Sequence, residues 1–142
     1  MLEILGKTPV EVRNIYALSH PAGQPIRVVI VLASNKCLMI QSDLLDEGWQ
    51  EIGYLVISDD VPVDPAGYVK RIIFDADIIE TVTAYFVSGC PNPARVKLRM
   101  SGGIFEISAD GFPYGLSYVS EHTQAGTPQF DDAEYSEGGG IR

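Results

Sequence analysis

Apolar residues along this chain alternate with polar ones far more often than they recur at helical spacing. Residues 8–19 carry Val10, Val12, Ile15, Tyr16 and Leu18, and the slip in spacing at Arg13-Asn14 predicts a strand with a bulge. Two prolines and a glycine in 20–25 predict a turn, because they cannot continue a ladder. Residues 26–32 are almost continuously β-branched, which predicts a strand central in the sheet or buried on both faces. Ser34-Asn35 is a tight connection, and 36–42 alternates Cys37, Met39 and Gln41 against Leu38 and Ile40, so a hairpin is expected. Acidic residues 43–48 predict a single helical turn before a further strand at 50–58.

After a loop at 59–65, Asp64-Pro65 has the form of a helix start, an acceptor followed by proline in the first turn. Tyr68, Val69, Ile72 and Ile73 then share one helical face, and a short helix over 65–74 is expected, although Val69, Arg71 and Ile73 also fit a strand. Strands at 78–88, 95–100, 104–109 and 115–120 follow, separated by a Pro-rich turn at 89–94, a turn at 101–103 and a loop at 111–114.

The order of these pieces repeats. With two single-residue gaps, 16–43 aligns with 85–110: Tyr16 on Tyr85, Ser19 on Ser88, Pro25 on Pro93, Arg27 on Arg95, Val28 on Val96, Ile40 on Ile107 and Asp43 on Asp110. Gly53–Ser58 and Gly115–Ser120 supply a matching fourth strand. The expected architecture is mainly β, or α+β with the 65–74 helix. Two repeated antiparallel meanders, about 8–58 and 78–120, would be related by pseudo-twofold symmetry across a linker at 59–77, giving about eight strands. Residues 124–142 carry Asp131, Asp132, Glu134 and Glu137, three glycines and few apolar side chains. They are expected to form a mobile tail, or one that orders on a partner, outside a single domain at 1–123.

At 142 residues the chain is long enough for one core without metal or disulfide staples. Its two cysteines form no Cys-x-x-Cys pair, and no secretory pattern or bilayer-length apolar run is present, which predicts a cytoplasmic setting. Nineteen acids against ten bases give a net charge of −9, a field that repels nucleic acid and anionic membranes and favours cationic partners.

Catalytic chemistry is sparsely signalled. His20 is in a turn and His122 near the end of the last strand, where order is expected to run out. Cys37 alternates within a strand as a small core residue, while Cys90, in Gly-Cys-Pro-Asn-Pro, has no basic neighbour in sequence before Arg95. A Cys90–His20 dyad is conceivable if the two Pro-rich turns are symmetry mates. Asp59, Asp60 and Asp64 crowd one loop and Asp75, Asp77 and Glu80 another, but neither has EF-hand spacing, and no metal or cofactor is expected. The glycine clusters precede no helix and so make no phosphate cradle. Trp49 and Tyr114 are candidate aromatic anchors beside acids.

The acidic balance and compact hairpins such as Arg95-Val-Lys-Leu-Arg-Met-Ser-Gly-Gly-Ile-Phe-Glu-Ile-Ser-Ala-Asp110 resemble the small acidic, β-rich immunity proteins of bacterial toxin systems. The resemblance implies a basic toxin or enzyme as partner, blocked by masking its active site. The leading expectation is therefore a non-catalytic binding protein, a monomer or weak homodimer. Its partner surface would draw on Asp43, Asp46, Glu47, Trp49, Asp59, Asp60, Asp110 and Tyr114. Two alternatives remain: a small enzyme using Cys90 or the carboxylates of 59–64, and a structural subunit joined through sheet edges.

Overall fold

The structure is a computed structural model that describes residues 9–46, 51–111 and 115–123. It is all-β: eight antiparallel strands form one sheet, and no helix occurs among the described residues. The strands are β1 (Val10–Ser19), β2 (Pro25–Leu32), β3 (Cys37–Asp46), β4 (Glu51–Ser58), β5 (Val69–Phe86), β6 (Pro93–Met100), β7 (Gly103–Gly111) and β8 (Gly115–His122). Their order across the sheet is β4-β3-β2-β1-β5-β6-β7-β8, two meanders joined at β1 and β5.

The long strand β5 joins the meanders. Its first part pairs with β1 from Val69 to Ile79, and its last part pairs with β6 from Ile79 to Phe86. The turn-over point holds Ala76 at φ 51°, a left-handed conformation uncommon outside glycine, and a ladder irregularity between Ile79 and Thr81. Here the sheet folds back, so that β4 contacts β6 and β7 while β2 and β3 contact β8. One core lies between the halves, with Val28, Ile30, Leu38, Ile40 and Leu55 from one side and Val96, Leu98, Phe105, Ile107 and Leu116 from the other. The halves approach closely at Gly53, where a Cβ would collide with the Ala109 carbonyl; only glycine lets β4 lie this near β7.

Local irregularities put the right side chains inward. In β1 a register shift between Val12 and Asn14 lets Val12 and Ile15, three residues apart, both face the core, as the slip at Arg13-Asn14 predicts. Between Pro25 and Arg27, and again between Pro93 and Arg95, the ladder skips one residue. The inner ladders share a register as well: Val28 pairs with Ile40 and Val96 with Ile107, Ile30 with Leu38 and Leu98 with Phe105.

Several expectations need correction. There is no helix at 65–74: residues 66–67 make a turn, with Gly67 at φ 84°, and β5 begins at Val69. A helical face for Ile72 and Ile73 lost to pairing with β1, which needs a partner along its second edge. The strand thus starts well before Ile78, inside the expected linker. The helical turn at 43–48 is also absent as far as Asp46, because β3 continues through Asp43 to pair with β4. Measured by ladder position, Tyr85 matches Leu18 rather than Tyr16, since Leu18 faces Arg27 and Tyr85 faces Arg95. Likewise Ile57 and Tyr118, the partners of Ile40 and Ile107, are the matching residues of β4 and β8, one position off the expected pairing. Antiparallel pairing tolerates such offsets where an identity occurs by chance beside a bulge.

Candidate functional site

The outer face of the first meander is not solvent-facing sheet. Tyr16, Val29 and Met39 form a second apolar cluster there, and Val31, Cys37 and Val61 pack against it. Val61 belongs to the β4–β5 connection, so this loop folds down over the sheet. Beneath it lies Arg27, the one buried charged side chain among the described residues, 5% exposed. Its Nη1 donates to the Pro62 carbonyl at 3.0 Å and stands 3.8 Å from the Asp64 carboxylate. Arg27 Nε meets no acceptor among the described residues, so the Pro62 carbonyl and the Asp64 carboxylate, both from the loop, are what offset the cost of burying this guanidinium. Further along, Lys70 Nζ lies 4.2 Å over the Tyr16 ring, and Tyr68 meets His20 edge-on at 5.4 Å. Burial first, then the charges of Asp64 and Cys37, raise the Tyr16 phenol above its ordinary value, against the lowering effect of Arg27.

The pinned loop holds Val63 outward, 92% exposed, more than any other large apolar side chain among the described residues. Asp59, Asp60 and Asp64 flank it in sequence and are also exposed. The Asp60 amide donates to Ser58 Oγ at 3.0 Å, which ties down the start of the loop. The arrangement is an apolar tip between carboxylates on a braced support.

The expected partner residues are dispersed. Asp43 is exposed on β3, opposite Tyr54 of β4. Partial burial first, then the charge and hydrogen bond of Asp43, raise the Tyr54 phenol. Asp59 and Asp60 belong to the loop, at the end of β4 away from this pair. Asp46 closes β3 and Asp110 lies near the end of β7. Glu47, Trp49 and Tyr114 lie outside the described residues.

Two of the three acids of β5, Asp77 and Glu80, serve the neighbouring turn. Asp77 accepts from the Gly102 amide at 3.2 Å and from the Ile78 amide at 2.7 Å, and Glu80 accepts from Ser101 Oγ at 2.9 Å. They clasp the β6–β7 turn. Among the described residues no group of three His, Cys, Asp or Glu could hold a metal ion. His122, expected where order runs out, is instead ordered: its Nε2 donates to the Ile73 carbonyl at 2.6 Å and its ring stacks on Phe74 at 4.4 Å. It serves the bulged carbonyl of β5. Half-buried Cys90 lies near Tyr54, and His20 contacts Ala22 and Tyr68, so the described contacts do not join these two residues as a dyad.

The second meander presents a contrasting outer face. Two shallow grooves of about 190 and 210 Å³ share Lys97 and Ile104, one running toward Arg99 and Tyr85, the other toward Val119 and Glu121. Arg95 stacks 4.2 Å over Tyr85 and pairs with Glu106 at 3.2 Å. Lys97 and Arg99 have no ion pair among the described residues.

Sequence reasoning missed Arg27, Val63 and this cationic stripe. The signals were present. Arg27 is the charge inside a run read as buried on both faces, which demands an acidic partner. Arg95, Lys97 and Arg99 alternate along one strand, so they share a face.

Comparisons with protein-family models, with curated proteins and with solved structures found no match.

Proposed function

We propose that this chain is a non-catalytic binding protein of the immunity or inhibitor type, which docks a cationic protein through the β4–β5 loop. The observation that carries the reading is the braced loop: Val63 is 92% exposed between Asp59, Asp60 and Asp64, while Arg27 holds the backbone from below. Pre-ordering matters because a loop already held in its bound shape loses little entropy on docking. Val63 would enter a small apolar socket, and the carboxylates would meet Lys or Arg at its rim. Net charge −9 speeds encounter with such a surface. A toxin or enzyme with a basic active-site mouth has this chemistry.

The test begins with capture of partners from native lysate on wild-type protein and on a Val63→Asp, Asp59→Asn, Asp60→Asn variant. Association rates of the purified partner at low and moderate salt follow. The reading requires a basic partner that the variant loses at least about tenfold, roughly 1.4 kcal/mol, and whose association slows with salt. A partner retained equally by both proteins would remove the loop from the interface. Association that ignores salt would remove the steering role.

A further inference from the structure

The cationic face of the second meander has an occupant within reach on the same chain. We propose that the acidic segment 124–142 lies across the outer face of β6–β8, with its carboxylates against Lys97 and Arg99. Three observations converge. First, Lys97 lines both grooves and Arg99 one of them, beside apolar side chains at Ile104 and Val119, and neither cation has an ion pair among the described residues. Second, the segment has the complementary chemistry: Asp131, Asp132, Glu134 and Glu137 are interleaved with Phe130 and Tyr135. Third, it departs from the right place. Thr123 donates its amide to the Gly102 carbonyl at 2.7 Å, at the end of the β6–β7 turn where Arg99 is near its strand terminus.

Reach is ample. Eight to fourteen residues separate Thr123 from these carboxylates, a length whose random-coil span is about 15–22 Å, whereas β8 to β6 is roughly 10 Å across two strand spacings. At such separations a tethered segment has an effective concentration on the order of millimolar, so individually weak ion pairs suffice. Arg95 is already engaged by Glu106, and Glu121 lies on the β8 side, which leaves Lys97 and Arg99 to receive the added carboxylates. The face is bare sheet only if the segment is elsewhere. With the segment bound, the second meander is covered by a piece of its own chain, as the first is by the β4–β5 loop.

The experiment is zero-length carbodiimide cross-linking of the full chain at micromolar concentration, with peptide mapping of the monomer band. The Lys97–Glu106 product, from directly paired residues, reports that Lys97 is reactive. The proposal expects a second product joining Lys97 to one of Asp131, Asp132, Glu134 or Glu137. That product should fall at least about tenfold in 1 M salt, where the Debye length shrinks to roughly 3 Å. In a full-chain Asp131→Asn, Asp132→Asn, Glu134→Gln, Glu137→Gln variant, amide shifts should move at Lys97, Arg99, Ile104 and Val119 and not in β2–β4. Lys97–Glu106 as the sole Lys97 product, or no shift on that face, overturns the proposal. A Lys97-to-segment product confined to the dimer band overturns it in favour of a second copy.

Discussion

The β2–β3 and β6–β7 ladders run in one register, yet their outer faces are opposites. Inward, both are apolar: Val28 with Ile40 and Ile30 with Leu38, against Val96 with Ile107 and Leu98 with Phe105. Outward, the first sets Val29 against Met39 and Val31 against Cys37, whereas the second sets Lys97 against Glu106 and Arg99 against Ile104. The equivalent arginines part in the same way. Arg27 is buried under a loop, and Arg95 is exposed over Tyr85. Hydrogen-bond register therefore fixes which residues face each other, while the cover over each face fixes what those residues must be.

Exchanging the outward pairs would test this most severely. Val29→Lys with Met39→Glu transplants the second meander's pair into the first, beneath Val61 and beside Tyr16. The expected loss is more than about 4 kcal/mol, because two charges enter a dry cluster and apolar contacts are lost. Urea denaturation reads it as a collapse of the midpoint. The reciprocal Lys97→Val with Glu106→Met should change stability by less than about 1 kcal/mol while promoting self-association, visible by light scattering. Equal costs for the two exchanges would erase the distinction.

The arginines give the next largest contrast. Arg27→Ala removes a buried stem and strands the Pro62 carbonyl, an expected loss of about 2–4 kcal/mol, together with faster proteolysis in the loop. Arg95→Ala breaks an exposed pair and should cost about 0.5 kcal/mol. The hairpin turns are a smaller test. Gly103 has φ 152° and its missing Cβ would strike the Glu121 carbonyl, so Gly103→Ala should destabilise by roughly 1–3 kcal/mol. Asn35 at φ 72° occupies the corresponding turn of the first meander, and Asn35→Gly should be tolerated within about 0.5 kcal/mol.

The smallest effect is a pH dependence. The Tyr16 phenol is raised in the folded state, so the folded chain holds this proton more tightly than the unfolded chain. The sign follows: Tyr16's contribution is complete below the ordinary tyrosine value near 10 and is lost as pH rises through the folded value. Tyr16→Phe should flatten the alkaline limb of a pH–stability curve. An unchanged limb would place the titration elsewhere.

Much of this fold can be read from residue order. The β-branched run at 26–32, the slip at Arg13-Asn14 and the glycine and proline turns each declare themselves locally, because pleat alternation and turn chemistry act over a few residues. The stretch at 65–74 does not. Its local signals favour a helix start, and only the unpaired edge of β1, far away in sequence, makes it a strand. The candidate site divides likewise. Asp59 and Asp60 were visible as a charged loop, but Val63 gains meaning only once Arg27 and Val61 pin that loop to the sheet.

Residue order alone carried the β class and the succession of strands and turns, since these depend on short-range periodicity and on turn chemistry. Tertiary structure alone decided where β5 turns over, which outer face is covered, and that Asp77 and His122 serve backbone groups. Each of those outcomes depends on residues distant in the chain meeting in space, and no local pattern records which of them will meet.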